Sequence, residues 1–444
     1  MIQLPRIAVG TVQRDADVQF MTWALMNVLE RSGLHVQSFS SQSRFLPRDA
    51  ALSITGKNRR YLDSWLMPSE VCAELFVRGT RCSDIGLVEG HYDVARKHAG
   101  MGGSLDTLCE WLDLPRIVTL DASRLNPCHL LPLPRDVDGL LLDNISDTGQ
   151  LCSLQTELEA MTGAPVLGAI ERLEQLRMVS GDALAKGQPT AELCHALGDA
   201  LAPHLRLEKL LEVAGQRDFK DVKDVLFHRR SLARPLHVAI AFDDAFSCYF
   251  PNTLDVLAAQ GASVSVFSPL HSERLPENTD LVYFGCGRPD DYLNELAAHF
   301  CMKESLWKHV ASGKRIYAES AGLAYLGHEI VMPCGHHYPM VGLIPVQARL
   351  NPTPPADRPV EVTMNKDSWL FDQDDRVRGY LNPRWIVHPD GILMPLVSEA
   401  EHSHDIVGSH QIVGSRLHLN FAASQQTLGK FFRPSGRSPL DRVY

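Results

Sequence analysis

Short apolar runs alternate with segments of helical periodicity along most of this chain, and this alternation constrains its fold more than any other feature. Residues 18–31 repeat apolar side chains at helical spacing and stop before Gly33, a residue typical of helix ends. Strand-like runs surround this helix at Arg6–Gly10, Leu34–Phe39, Ile85–Glu89, Ile117–Asp121 and Gly139–Asn144. Strands and helices that alternate in this way form parallel sheets with helices on both faces. The sequence therefore predicts an α/β fold.

A second alternation follows in the last part of the chain. It begins at Leu236 and continues through Val264–Phe267, Leu281–Phe284 and Ile316–Ala318. The intervening segment is mostly polar and helical in pattern, and 444 residues suffice for two or three domains. We therefore predict one α/β domain over residues 1–172, a helical join over 173–234 and a second α/β domain over 235–444.

Composition excludes several classes of function. The net charge of −10 comes without a basic stripe, which argues against nucleic-acid binding. The chain opens with no signal peptide and no apolar run long enough to span a membrane, so we expect a cytoplasmic protein without a membrane partner. Ten cysteines are scattered without Cys-x-x-Cys pairs, which favours free thiols in a reducing compartment.

Residues 316–326 contain the strongest candidate for a reactive side chain. Ala318, Ser320 and Gly322 fit a loose small-x-Ser-x-Gly elbow, in which a sharp strand-to-helix turn exposes the serine hydroxyl. A serine nucleophile needs a base to accept its proton, and His418 is available. Two interpretations stay open: a Ser320–His418 hydrolase or amidase, and a serine that only fills the turn.

The same segment resembles a known family. Residues 316–326 are similar to the Tyr-Ala-Glu-Cys-Gly-Gly-Leu-Met-Tyr-Leu turn of cobyrinic acid a,c-diamide synthases, with Ser320 in place of the cysteine. Further resemblances run in order from about residue 6 to about residue 425, at residues 55–67, 87–93, 235–257, 261–270 and 285–290. The resemblance implies an N-terminal P-loop NTPase-like sheet, similar to dethiobiotin synthetase, and a C-terminal domain like class I glutamine amidotransferases. It also implies ATP-dependent amidation of tetrapyrrole carboxylates with ammonia from glutamine.

The chain departs from this family in the phosphate loop. The family pattern resembles Gly-Thr-x-Ser-Gly-x-Gly-Lys-Thr-Thr, whereas residues 10–19 read Gly-Thr-Val-Gln-Arg-Asp-Ala-Asp-Val-Gln. Gly10 and Thr11 are kept, but Asp17 replaces the lysine that would attract the phosphates. Reversing one charge at contact distance costs roughly a few kcal/mol. We therefore expect ordinary ATP binding to be lost, although a site rebuilt from Arg14 and Arg48 stays an alternative.

Glu89 is the remaining acidic residue of that candidate nucleotide site. By resemblance it would help to hold Mg²⁺ for ATP. Alone, it is more typical of a carboxylate at a strand end than of a metal site. No bound cofactor is therefore predicted, and ATP and Mg²⁺ are only implied by the family.

The second half-site departs from the family as well. His418 aligns with the first histidine of the family's Ser-Tyr-Val-His-Leu-His-Phe pattern, and Asn420 replaces the second. Gly285 and Gly287 resemble glycines near the oxyanion hole, with Cys286 between them as a small buried side chain. Ala321 replaces a glycine and restricts the backbone there.

Nineteen histidines raise the question of a metal site. Cys334, His336 and His337 are close in sequence, as are His402 and His404, but none has the paired spacing of a zinc site. No metal is therefore predicted. Some of these imidazoles could instead line a cavity for a metal-containing tetrapyrrole, because imidazole is a common axial ligand.

The sequence thus favours a homologue of the synthases that is not catalytic. We expect it to bind a tetrapyrrole or corrinoid, or a partner enzyme, and a homodimer is plausible by resemblance. The alternatives are the Ser320–His418 hydrolase and a synthase whose activity is retained through altered residues.

Overall fold

The protein is described here by a computed structural model. The structure describes residues 3–13, 16, 18–45, 49–93, 102–125, 132–177, 191–220, 222–228, 234–390, 395–398, 405–408 and 410–433. The chain divides into two compact units, Met1–Val225 and Leu226–Tyr444. No helix among these described residues is long and apolar enough to cross a membrane.

The first unit is built on a seven-stranded sheet in which every pair of neighbours is parallel. Its strands are β1 (Arg6–Thr11), β2 (Val36–Ser40), β3 (Arg60–Tyr61), β4 (Ile85–His91), β5 (Arg116–Asp121), β6 (Val137–Ile145) and β7 (Val166–Glu171). They lie in the order β3-β2-β4-β1-β5-β6-β7. This confirms the α/β class, because the apolar runs seen in the sequence form the buried central strands.

Seven helices are described in this unit. They are α1 (Val18–Arg31), α2 (Ala51–Thr55), α3 (Ser69–Thr80), α4 (Leu105–Leu112), α5 (Thr148–Thr162), α6 (Ala191–Leu201) and α7 (Leu207–Gly215). Helix α1 is buried along most of its length, and α6 packs against it with Leu193, Leu197 and Leu201. Part of the segment predicted as a join therefore completes the core of the first unit.

The central strand β1 ends beside β4, with Gly10 opposite Gly90 and Thr11 opposite His91. A Cβ atom on Gly10 would lie 2.6 Å from a methyl carbon of Leu105 and 2.8 Å from the carbonyl oxygen of Gly90, so only glycine fits. In open α/β sheets, ligands bind outside the carboxyl ends of the strands where the strand order reverses. The end of β1 is such a point, because β4 and β5 flank it.

The second unit is built on a six-stranded sheet. Its strands are β8 (Leu236–Ala241), β10 (Ala262–Phe267), β11 (Leu281–Phe284), β13 (Arg315–Glu319), β20 (Ile406–Gly408) and β21 (Ile412–Ser415). They lie in the order β10-β8-β11-β13-β21-β20. All neighbours are parallel except β20 and β21. The second predicted alternation is therefore confirmed as a mainly parallel sheet.

Three smaller sheets accompany it. A pair is formed by β9 (Phe246–Cys248) and β12 (Cys286–Gly287). A four-stranded sheet contains β14 (Glu329–Val331), β15 (His337–Pro339), β16 (Val346–Leu350) and β19 (Trp385–Pro389). A three-stranded sheet contains β17 (Arg358–Thr363), β18 (Arg376–Leu381) and β22 (Leu417–His418).

The described helices of this unit are α8 (Pro251–Ala259), α9 (Leu293–Ala298), α10 (Phe300–Ala311), α11 (Ala321–Leu326) and α12 (Gln425–Phe431). Helix α11 is buried at every position and follows β13 after a single residue, Ser320. The central strand of this sheet thus leads directly into the predicted elbow.

Candidate functional site

Ser320 forms the sharp turn between β13 and α11. Its backbone has φ 46° and ψ −102°, a strained conformation for a residue with a side chain. Its N–H donates to the carbonyl oxygen of Ser415 at 2.7 Å, which fixes the turn against β21. This geometry resembles a nucleophile elbow, in which strain at one residue presents its side chain at the end of a strand.

Small residues allow α11 to start immediately after this turn. A Cβ atom on Gly322 would lie 2.6 Å from Cβ of Phe284 and 3.0 Å from the carbonyl oxygen of Gly285. Glycine is therefore required there by the close approach of helix and strand. Ala321 is 1% exposed, so its methyl group is accommodated in the buried turn.

His418 lies beside a carboxylate that was not among the predicted site residues. Nδ1 of His418 is 3.8 Å from Oε1 of Glu319, and both side chains are buried. Burial lowers the pKa of His418, but the interaction with the negatively charged Glu319 outweighs it and raises the pKa above the ordinary value. Glu319 precedes Ser320 directly, so its position in the chain was the available signal. The histidine and the elbow residue thus share a buried acidic neighbour.

Glu319 is held in place by two hydrogen bonds. The hydroxyl of Tyr283 donates to its Oε2 at 3.1 Å, and the N–H of Leu419 donates to its Oε1 at 3.2 Å. Asn420, at the family's second histidine, accepts the N–H of Ala422 at 3.2 Å and caps the short helical turn there. The carboxylate is therefore fixed, and Asn420 serves the local backbone.

The two glycines predicted near an oxyanion hole lie on either side of Cys286. The N–H of Gly285 donates to the hydroxyl of Tyr249 at 3.0 Å, and that hydroxyl donates in turn to the carbonyl oxygen of Ala241. Gly287 pairs with Phe246 in the β9–β12 sheet. The Gly285 amide is thus already engaged by a buried tyrosine.

A polar cleft opens in the first unit near the end of β1. It has a volume of about 230 Å³ and lies where β2 and β4 end. Its lining comprises Ala16, Val18, Gln19, Ser40, Ser41, Gln42, Arg44, Glu89, Gly90 and His91. Arg14, Asp17 and Arg48 of the predicted nucleotide site lie outside the described residues.

Glu89 in this cleft is neutralised by the protein itself. Its Oε2 accepts the hydroxyl of Thr22 at 2.6 Å and lies 3.2 Å from Nη1 of Arg59. Arg59 also pairs with Asp49 at 2.8 Å, and its side chain is 2% exposed. Burial opposes the charge of Arg59. The carboxylates of Asp49 and Glu89 nevertheless raise the pKa of Arg59 above its ordinary range. A buried cation is therefore shared between two carboxylates.

The loop that follows β1 is held by hydrogen bonds that involve side chains. The N–H of Gln13 donates to the hydroxyl of Thr11 at 3.1 Å. The Gln13 carboxamide accepts the N–H of Asp121 at 2.7 Å and donates to the carbonyl oxygen of Asp121 at 3.3 Å. Gln13 thus fastens the start of this loop to the end of β5.

Among the described residues, no group of three or more His, Cys, Asp or Glu side chains is arranged to hold a metal ion. His402 and His404 lie outside the described residues. His337 instead pairs with Glu329 at 3.0 Å.

Comparisons with known proteins agree with the resemblance seen in the sequence. Residues 237–425 match the CobB/CobQ-like glutamine amidotransferase domain. A cobyrinate a,c-diamide synthase of Dehalococcoides mccartyi is 26% identical over 98% of this chain and 99% of its own length. The synthase of Syntrophotalea carbinolica is 26% identical over 78% of each chain, and that of Listeria monocytogenes is 27% identical over 73% of this chain and 74% of its own. The chain is thus similar along nearly its whole length to cobyrinate a,c-diamide synthases, with a CobB/CobQ-like glutamine amidotransferase domain in its second unit.

Proposed function

We propose that this protein is a non-catalytic homologue of cobyrinate a,c-diamide synthase in cobalamin-type biosynthesis. It binds a corrinoid or related tetrapyrrole, or a partner enzyme of that pathway, and does not itself drive amidation with ATP. The observation that carries the proposal is the pairing of Glu89 with Arg59.

This pairing counts against a Mg²⁺–ATP site. Mg²⁺ needs carboxylate oxygens and bound waters in near-octahedral geometry. Glu89 already faces a buried guanidinium that also pairs with Asp49. Freeing Glu89 for a metal would leave Arg59 with one partner fewer in a buried site, which is costly. Together with Asp17 in place of the lysine, this supports loss of the nucleotide chemistry.

The decisive test bypasses the glutaminase half. We would incubate the purified chain with cobyrinic acid, Mg-ATP and free ammonia, and analyse the corrinoid by mass spectrometry. The Listeria monocytogenes synthase serves as the positive control. We expect no amide to be added. A product with one or two new amides would instead establish a synthase that works through altered residues.

Ligand binding is tested separately by absorbance titration of cobyrinic acid with the protein. We expect a saturable spectral change without turnover. If amidation and corrinoid binding are both absent, the tetrapyrrole part of the proposal is wrong, and co-purification with the pathway's enzymes tests the partner-binding part.

A second function is favoured by the elbow. Ser320 keeps positive φ, and His418 lies beside the buried Glu319, an arrangement compatible with a serine hydrolase or amidase. The test is labelling with a fluorophosphonate, which reacts with activated serines. Labelling that is lost in Ser320→Ala and kept in Ser312→Ala, an exposed serine of the same unit, would establish this alternative. Unlabelled protein would remove it.

A further inference from the structure

A pair of cysteines lies next to the elbow, and the functions considered above do not use it. Cys248 ends β9, and Cys286 begins β12, directly opposite in the antiparallel pair. Both are free thiols, Cys248 half-buried and Cys286 buried. Their positions are separated by 38 residues, so the pairing is a product of the fold.

The strands approach closely enough for a covalent bridge. Opposed residues of an antiparallel pair have Cα atoms about 4.5 or 5.5 Å apart, and disulfides join Cα atoms about 4.4–6.8 Å apart. The sulfur of Cys286 is 3.9 Å from the carbonyl oxygen of Cys248. A bulge between Cys286 and Gly287 adds local twist to the pair.

The surroundings favour a reactive thiolate at one member of the pair. The interaction with the Cys286 side chain lowers the pKa of Cys248 despite burial, and the positive charge of His418 lowers it further. Burial, followed by the interaction with Cys248, raises the pKa of Cys286. One member of the pair is thus favoured as a thiolate and the other as a thiol, a combination suited to thiol–disulfide exchange.

We propose that Cys248 and Cys286 form a redox-active dithiol that low-molecular-weight disulfides such as oxidised glutathione convert into a cross-strand disulfide. The Cys248 thiolate attacks one sulfur of the small disulfide and releases one thiolate. The Cys286 sulfur then attacks the Cys248 sulfur, expels the second thiolate and gives up its proton to it. Two protein thiols are oxidised to one disulfide, and the small disulfide is reduced to two thiols.

The Cys248–Cys286 disulfide would act on the turn at Ser320 through the backbone that lies between the two sites. Gly285 precedes Cys286, and its carbonyl oxygen lies 3.0 Å from where a Cβ of Gly322 would be. Tyr249 follows Cys248 and holds the N–H of Gly285. A disulfide would therefore fix the backbone on which the first turn of α11 rests, and so make the second unit sensitive to thiol redox state.

The test uses the full-length, fully reduced protein treated with oxidised glutathione. Remaining thiols are then alkylated, and peptides are mapped by mass spectrometry. We expect a linked peptide pair joining Cys248 to Cys286. Cys286→Ser should abolish the link and trap one glutathione on Cys248. Cys248→Ser should abolish it and leave Cys286 unmodified.

Cys301→Ser is the matched control, because it removes an exposed cysteine of the same unit and should leave the link intact. The mapping of the unsubstituted protein decides the question even if a variant fails to fold. The proposal is overturned if exposed cysteines gain glutathione while Cys248 and Cys286 are recovered alkylated and unlinked. It is equally overturned if Cys248 stops at the mixed disulfide in the unsubstituted protein.

Discussion

Glu89 in the first unit and Ser320 in the second occupy comparable places, each near the carboxyl end of a central strand in a parallel sheet, but their surroundings differ. Glu89 accepts a hydrogen bond from Thr22 and pairs with buried Arg59. Ser320 has a strained backbone, and Gly322 allows α11 to begin directly after it. The preceding residue, Glu319, pairs with His418.

The two places differ in how the polar groups around them are satisfied. In the first unit, the side chains of Thr22 and Arg59 satisfy the Glu89 carboxylate. In the second unit, Ser320 has the positive φ typical of a nucleophile elbow and follows Glu319, which pairs with buried His418. The first arrangement is therefore tested by removing a buried charge, and the second by relieving backbone strain.

The largest expected effect is a loss of stability in the first unit when its buried positive charge is removed. Arg59→Met should lower the free energy of unfolding of the first unit by about 3–5 kcal/mol, because Asp49 and Glu89 lose a buried cation. Native-state hydrogen exchange of the β1 and β4 amides measures this. Arg31→Met, which removes an exposed pair with Asp199, should cost less than about 1 kcal/mol. Equal losses of stability in the two variants would mean that the buried pairing of Arg59 with Glu89 and Asp49 contributes no more than a surface ion pair.

A smaller effect of opposite sign is expected at the elbow. Ser320→Gly should raise the stability of the second unit by about 1 kcal/mol, since glycine relieves strain worth about 1–3 kcal/mol at the cost of greater freedom in the unfolded chain. Ser320→Ala keeps the strain and should be near neutral. Hydrogen exchange of α11 compares the two. A glycine variant less stable than the alanine variant would show that the turn is not strained.

The smallest effect is a slope of stability against pH. The pKa of His418 is raised in the folded protein, so its contribution is complete below about pH 6.5 and is lost as pH rises through the folded pKa. In the wild-type protein, the urea midpoint of unfolding should decline with rising pH over about pH 5 to pH 9. His418→Gln should remove this decline. An unchanged slope would mean that Glu319 does not hold a proton on His418.

His309 offers a control of opposite sign in the same unit. Burial lowers its pKa to about 4, so its contribution is complete above about pH 6.5 and is lost as pH falls towards pH 4. His309→Gln should therefore change the acid side of the profile and leave the alkaline side as it was.

The elements with local signals were predictable from the sequence. Val18–Arg31 and Leu281–Phe284 have the predicted bounds, because helical periodicity and a buried apolar run are properties of neighbouring residues. The turn at Ser320 was also predictable, since small residues flank it on both sides.

The charge and thiol pairs were not predictable in the same way. Arg59 and Glu89 are thirty residues apart in the sequence and meet although β2 lies between β3 and β4. Cys248 and Cys286 meet through strands of three and two residues, which are too short to carry a periodic signal. Such contacts depend on strand order and register, which single-sequence patterns do not encode.

The packing of α6 on α1 bears on how the protein can be divided for separate production. Leu193, Leu197 and Leu201 cover α1, although they come after the last strand of the first sheet. A fragment that stopped at β7 would expose this apolar face of α1 to water and invite aggregation. A soluble first half therefore has to extend to Val225, where the first compact unit ends.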